Sequence, residues 1–94
     1  MSHIKIERRH TLGAAVAKGR VAEIEPMLRD RFGIRIEWNG TNATFKGRGV
    51  SGSARITDDQ LKIELELGLI VRPFAGKIRR VMEKNIDEAL GRTL

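Results

Sequence analysis

Hydrophobic residues fall at every second position in "IKIERR", residues 4–9. Ile4 and Ile6 take one side; Lys5, Glu7 and Arg9 take the other. Period two marks a half-buried strand. From Leu12 to Phe32 the period lengthens. Ala17, Val21, Ile24 and Leu28 recur three and four apart, with Phe32 next on the stripe. That spacing predicts an amphipathic helix, with Thr11 as its N-cap and Gly33 as its C-cap. Gly19 weakens it by about 1 kcal/mol relative to alanine. Pro26 removes a backbone bond and presses on the carbonyl of Ala22. The stripe stays in phase across both, so one helix kinked near Ala22–Glu25 is expected rather than two.

Four strands are predicted next. "IRIEW" turns Ile34, Ile36 and Trp38 inward, and "NGTN" comes after it with Asn39-Gly40, a strong hairpin signal. "ATFK" turns Ala43 and Phe45 inward. "VSGSARI" puts Val50, Gly52, Ala54 and Ile56 on one face, and "TDDQ" reads as a turn whose side chains bond their own backbone. "LKIELEL" turns Leu61, Ile63, Leu65 and Leu67 inward. Continuing that alternation through "GLIV" sends Leu69 and Val71 inward and Gly68 and Ile70 outward. Pro73 suits a helix start. From Phe74 the stripe runs through Ile78, Val81, Met82, Ile86, Ala89 and Leu90, a second amphipathic helix of roughly 18 residues.

The order is therefore β-α-β-β-β-β-α. Short turns make the strands antiparallel. The expectation is an α+β two-layer sandwich in one domain over residues 1–94: a sheet of five strands, two helices on one face, water on the other. Trp38, Phe45, Ile63, Leu65, Ile78 and Met82 are expected to pack together between the sheet and the last helix.

Composition narrows the possible chemistry. Cysteine is absent, which removes disulfides, thiolate metal sites and thiol nucleophiles, and fits a reducing, cytoplasmic setting. No run of 18 apolar residues predicts a membrane span, and the charged "MSHIKIERRH" is unlike a signal peptide. Net charge is +6, from 18 basic and 12 acidic residues, a bias toward anionic partners.

"KGRGVSG", residues 46–52, has the G-x-G-x-x-G spacing of a dinucleotide loop in Gly47, Gly49 and Gly52. That motif needs a helix after its glycines to hold the pyrophosphate, and here a strand comes next. Gly47 and Gly49 are read as a tight turn at positive φ, and Gly52 as a bulge or a close approach to the first helix. No cofactor is expected. The only histidines, His3 and His10, lie seven apart on opposite faces of a strand and are read as surface residues, with no metal site. Asp58-Asp59 is read as satisfying turn amides, and Glu64 and Glu66 as cross-strand ion pairs. No serine sits in a strained strand-to-helix turn. The chain is expected not to be an enzyme.

Several segments together resemble a known family: "HTL" (10–12), "FGIRIEW" (32–38), "GVSGSARI" (49–56) and "LKIELELGLIVRPFAGKI" (61–78). The most specific is Leu67-Gly68-Leu69 followed by Pro73-Phe74 and Gly76-Lys77-Ile78. They look like the polyhydroxyalkanoic acid system proteins, small bacterial granule-region proteins, over His10 to Leu90. The resemblance implies a non-enzymatic accessory role in polyhydroxyalkanoate metabolism and assigns no catalytic residue. The element order is also similar to a shortened Bet v 1-like domain, which implies the alternative of a small carrier with an apolar ligand between sheet and helix. A nucleic-acid binder of no sequence preference is the other alternative. Lys5, Arg9, Arg35, Lys46, Arg48, Arg55 and Lys62 lie on the polar sheet face with Glu7, Glu37, Glu64 and Glu66, but no aromatic platform for bases lies among them.

The candidate contact surface is the corner at Ile70, Pro73 and Phe74, fringed by Arg72, Lys77 and Arg80. An apolar tip with a basic fringe suits an anionic, lipid-like boundary. Its partner would be a polyhydroxyalkanoate granule, a granule protein, or a second copy in a homodimer.

Overall fold

The structure is a computed structural model that describes residues 2–91. Strand β1 (Ser2–Arg9) is followed by helices α1 (Ala14–Ala22) and α2 (Glu25–Phe32). Then come four strands, β2 (Arg35–Asn39), β3 (Asn42–Gly47), β4 (Val50–Ile56) and β5 (Gln60–Leu67). A 3-10 turn over Arg72–Phe74 leads into α3 (Ala75–Ala89). The five strands form one open antiparallel sheet in the order β1-β5-β4-β3-β2. The α+β class and element order are those expected from the periodicity.

The alternating side chains sort as their chemistry requires. Ile4, Ile6, Ile36, Phe45, Ala54, Ile63 and Leu65 turn to one face and are buried there. Against them lie Ala17 and Val21 of α1, Leu28 of α2, and Ile78, Met82 and Ile86 of α3. Trp38 takes the predicted face but is only half-buried, at the rim under the Lys18 ammonium, which sits 5.2 Å from the ring centre. That placement is a cation–π contact.

The stretch expected as one kinked helix is corrected to two, α1 and α2, parted at Glu23–Ile24, the expected place of the kink. Glu23 and Ile24 keep right-handed backbone angles between them, so the stripe stays in phase. Pro26 lies in the first turn of α2, where a missing donor matters least. Gly33 ends α2 as predicted. Its own N–H donates to the Arg29 carbonyl, and the N–H of Ile34 donates to Leu28. The first is the single 5→1 bond of the αL capping motif, and Leu28 and Ile34 on either side of the cap are both buried.

The predicted N-cap is corrected. Gly13, not Thr11, precedes α1, and it has no side chain to cap with. The cap comes from across the chain: the Ala14 N–H donates to Asp58 Oδ1 at 3.0 Å. The β4–β5 turn thus satisfies a helix end 44 residues away while also holding itself, with the Gln60 N–H donating to Thr57 Oγ1 at 3.1 Å. The reading of "TDDQ" as a backbone-satisfying turn holds and extends beyond the turn.

His10 is also corrected, from surface to buried. The Leu12 N–H donates to its Nδ1 at 3.2 Å, so Nε2 carries the hydrogen and donates to the Thr57 carbonyl at 3.0 Å. The His10 backbone N–H adds a bond to the Asp59 carbonyl. The strand ends at Arg9, the chain folds over the turn, and the ring goes with it.

Arg8 falls on the inner face, yet it is the charged member of the β1 pattern. It reaches α3, with Nε 2.7 Å from Asp87 Oδ1 and Nη2 3.0 Å from Glu83 Oε2. The bond to Asp87, foremost, holds the guanidinium pKa above its ordinary value; partial burial opposes this and Glu83 adds to it. Arginine is charged at all working pH regardless, so this clamp ties α3 to the sheet edge through its geometry.

Two substitutions check this packing. Leu65→Ala should cost about 2–5 kcal/mol, as for other buried leucines, read by urea unfolding. Asp58→Ala should cost about 1 kcal/mol, the usual value of a lost helix cap, although its side chain lies outside the helix that it stabilises.

Candidate functional site

The residues with the least structural explanation gather where β5 hands over to α3. Alternation does not continue past Leu67: the chain leaves the sheet at Gly68 and turns, with the Val71 and Arg72 N–H groups both donating to the Gly68 carbonyl. Leu69 is therefore not inward as predicted; it is 75% exposed. Ile70 is 85% exposed, as expected from its outward register, and Phe74 is 56% exposed. The last helix begins one residue later than predicted, at Ala75, so Phe74 ends the 3-10 turn instead of opening the core stripe. Arg72, Pro73, Lys77 and Arg80 are exposed around it. All six residues of the expected contact surface are exposed, and Leu69 is exposed on the same turn.

The glycine run holds this corner. Gly49 has φ of 78°, which favours glycine, and its carbonyl accepts the Gly68 N–H at 2.8 Å. A side chain at Gly49 would meet the Val71 methyls at 3.4 and 3.5 Å. Gly47 does not take positive φ as expected; it lies close against Gly33 and Ile34. Gly52 is neither a bulge nor a seat for the first helix. It pairs in register with Phe45 and Leu65, and a Cβ there would fall 2.1 Å from the Glu64 carbonyl oxygen. Strand β4 runs on past Gly52 to Ile56, so the helix end that a dinucleotide fingerprint requires is not at this place.

Beside the corner is a cleft of about 330 Å³ between the end of α2 and the start of α3. Phe32, Val50, Val71, Phe74 and Ile78 line it, and Arg31 and Lys77 stand at its sides. A basic groove of about 520 Å³ between α2 and α3 continues from Arg31, with Arg80 and Lys84 along it and Glu88 as its acidic member. Among the described residues, no carboxylate lies within ion-pair distance of Arg31, Lys77, Arg80 or Lys84.

The open sheet face is different in kind. Lys5 pairs with Glu64 at 3.6 Å and Lys46 with Glu37 at 3.2 Å, the cross-strand pairing expected for this face, with Glu64 engaged and Glu66 opposite exposed His3. Its hollow of about 470 Å³ is lined by charges of both signs. Among the described residues, no group of three metal-ligating side chains converges, and no helix is long and apolar enough to cross a membrane.

A family described as "Putative polyhydroxyalkanoic acid system protein" matches residues 4–90, nearly the whole chain. The chain belongs to that family. No curated protein matches it. No solved structure matches it either, so the likeness to a Bet v 1-like domain rests on element order alone. In this member of the polyhydroxyalkanoic acid system family, the segment most specific to the resemblance, residues 67–78, contains the exposed turn at Leu69, Ile70 and Phe74 between the buried Leu67 and Ile78.

Sequence reasoning finds the corner but not the cleft, nor the roles of Arg31 and Lys84. Arg31 lies between Asp30 and Phe32 in a helix of mixed charge, and nothing local marks which cations will stand free. Leu69→Ser and Ile70→Glu should each change unfolding free energy by no more than about 0.5 kcal/mol, as for exposed sites. Gly49→Ala should cost about 1 kcal/mol or more, because the loop that seats Val71 is held at positive φ. The same urea titration compares all three.

Proposed function

We propose that the protein is a non-enzymatic accessory of the polyhydroxyalkanoate system that works by docking at the granule boundary through the β5–α3 corner. The observation that carries this reading is the exposure of Leu69, Ile70 and Phe74 together on one short turn. Large apolar side chains gathered at one exposed place mark an interaction surface more often than scattered ones do. Arg72, Lys77 and Arg80 beside them, with no carboxylate within ion-pair distance among the described residues, suit a boundary with anionic character, in the manner of interfacial segments that combine apolar insertion with basic attraction. Membership of the family supports the granule as the partner. The open sheet face supports a nucleic-acid reading less well, since its cations are partly paired and both aromatic side chains of the sheet, Trp38 and Phe45, turn to the helix side.

The test is co-sedimentation with purified polymer granules. Wild type should pellet, and Ile70→Glu should lower the granule-bound to free ratio about tenfold, the scale set by removing one large apolar side chain from a buried position. Phe74→Ser should do the same, and raised salt should weaken binding further as the basic fringe is screened. Melting temperatures should barely move. Wild-type pelleting by a Leu69→Ser/Ile70→Glu double variant would sink the docking surface.

A further inference from the structure

We infer that the cleft beside the corner is a binding site for a single-chain carboxylate amphiphile, with its tail against Phe32, Val71, Phe74 and Ile78 and its head between Arg31 and Lys77. The inference shares the corner with the granule reading but does not depend on it, because a free amphiphile could occupy the cleft in solution.

Three features select this class of ligand. The first is the lining. Five of its seven residues are apolar and the other two, Arg31 and Lys77, are both cationic. An apolar floor with a few placed polar groups is the usual form of a small-molecule site, the polar groups fixing orientation. The second is charge. Neither cation has a carboxylate within ion-pair distance among the described residues. The basic groove with Arg80 and Lys84 adjoins through Arg31, so the surrounding potential favours an anionic head over a neutral or cationic one. The first turn of α3, which carries Lys77, holds no acidic residue to oppose it. The third is size. About 330 Å³ lies at the lower end of the roughly 300–1,000 Å³ range of ligand sites. That suits one alkyl chain rather than the two tails of a phospholipid.

The two larger hollows lack this combination. The open sheet face has charges of both signs and an internal Lys5–Glu64 pair. The groove between α2 and α3 has cations and the side chains of Met27 and Val81, but no aromatic floor. Phe74 belongs to both the corner and the cleft, so an amphiphile seated there would cover apolar surface that the fold leaves in water.

Decanoate, kept below its micelle concentration, is the probe, and backbone-amide NMR titration of the full chain is the measurement. Saturable shifts should centre on Phe32, Val71 and Ile78. Affinity should rise about fourfold for each methylene between hexanoate and decanoate. Decyltrimethylammonium, with the same tail and the opposite head, should bind at least tenfold more weakly. Arg31→Gln and Lys77→Gln should each weaken decanoate by about threefold to fivefold, the scale of one exposed ion pair. The Arg31→Lys/Lys77→Arg variant should bind as wild type. All these positions are exposed, and an unchanged amide spectrum reports the fold. The inference is overturned by non-saturating shifts, by shifts centred elsewhere, by equal binding of the two head groups, or by an Arg31→Gln/Lys77→Gln variant that binds decanoate as tightly as wild type. Ile70→Glu separates the two readings, because Ile70 is not in the cleft lining: it should keep decanoate affinity while losing granule binding. Granule binding that survives without decanoate binding would remove the cleft alone, and the converse would remove the docking surface alone.

Discussion

The pairing of β1 with β5 is the constraint on which the remaining arrangement depends. It places the first strand at one edge of the sheet and the second at the other. The chain between them must therefore cross the full width, four inter-strand steps or roughly 19 Å. Two helices of nine and eight residues, roughly 13 and 12 Å long at 1.5 Å per residue, make that crossing. The crossing runs over the apolar face, because that face must be covered by something. A bend at Glu23–Ile24 lets the pair follow the sheet, and Pro26 stops a straight helix from forming there. At the far side, Glu25 Oε2 accepts the Ile36 N–H at 2.9 Å, so the crossing helix also satisfies a backbone donor of edge strand β2.

The same pairing makes the two ends of the sheet unequal. One end is a polar latch. His10, Thr57, Asp58 and Asp59 tie the end of β1, the β4–β5 turn and the start of α1 together through hydrogen bonds. Arg20 adds a bond from α1 to the Ala89 carbonyl at the end of α3, where a cation meets the negative end of the helix. The opposite end has the finish of α2, the glycine loop, the β5–α3 corner and the start of α3, joined mainly by the single Gly68–Gly49 bond and by apolar contacts. These four segments converge there without filling the space between them, and the cleft is the gap they leave.

Side-chain period carries most of this architecture. Ile4, Ile6, Phe45, Ile63, Leu65, Ile78 and Met82 alternate or repeat at helical spacing and are buried accordingly. Sequence reading fails where a local rule is extended past the element that obeys it. Continuing the β5 alternation sends Leu69 inward, but Gly68 has already turned the chain out of the sheet. Thr11 has the chemistry of a cap, but Gly13 lies between it and the helix and Asp58 supplies the acceptor instead. His10 and Arg8 both sit beside exposed charged residues in sequence, and only the tertiary partners Thr57, Asp87 and Glu83 explain their inward course. The exposure of Ile70, Arg72, Pro73, Phe74, Lys77 and Arg80 is legible because they are nearly contiguous along the chain. The cleft is not, because Phe32, Val50 and Val71 come from three elements that meet only in the fold.

Three of the four segments that carry the family resemblance then acquire a common physical cause, while "HTL" lies in the polar latch at the other end. "FGIRIEW" supplies Phe32 to the cleft and Gly33 and Ile34 to the contact with Gly47. "GVSGSARI" supplies Gly49, whose carbonyl holds Gly68, and Gly52, which lets β4 lie against Leu65. "LKIELELGLIVRPFAGKI" supplies Leu65, Gly68, Val71 and Phe74, which meet Gly52, Gly49 and the cleft from the other side. Three stretches, widely separated in the chain, therefore specify one place, and they specify it by shape rather than by reactive groups. Glycines there let backbones approach, and a short turn puts Leu69, Ile70 and Phe74 into water. A chain selected only for stability has little reason to hold apolar side chains out on a turn braced by the loop of the neighbouring strand. One that must present a fixed apolar tip beside exposed cations needs such a brace, since a loose turn would lose more conformational entropy on each contact.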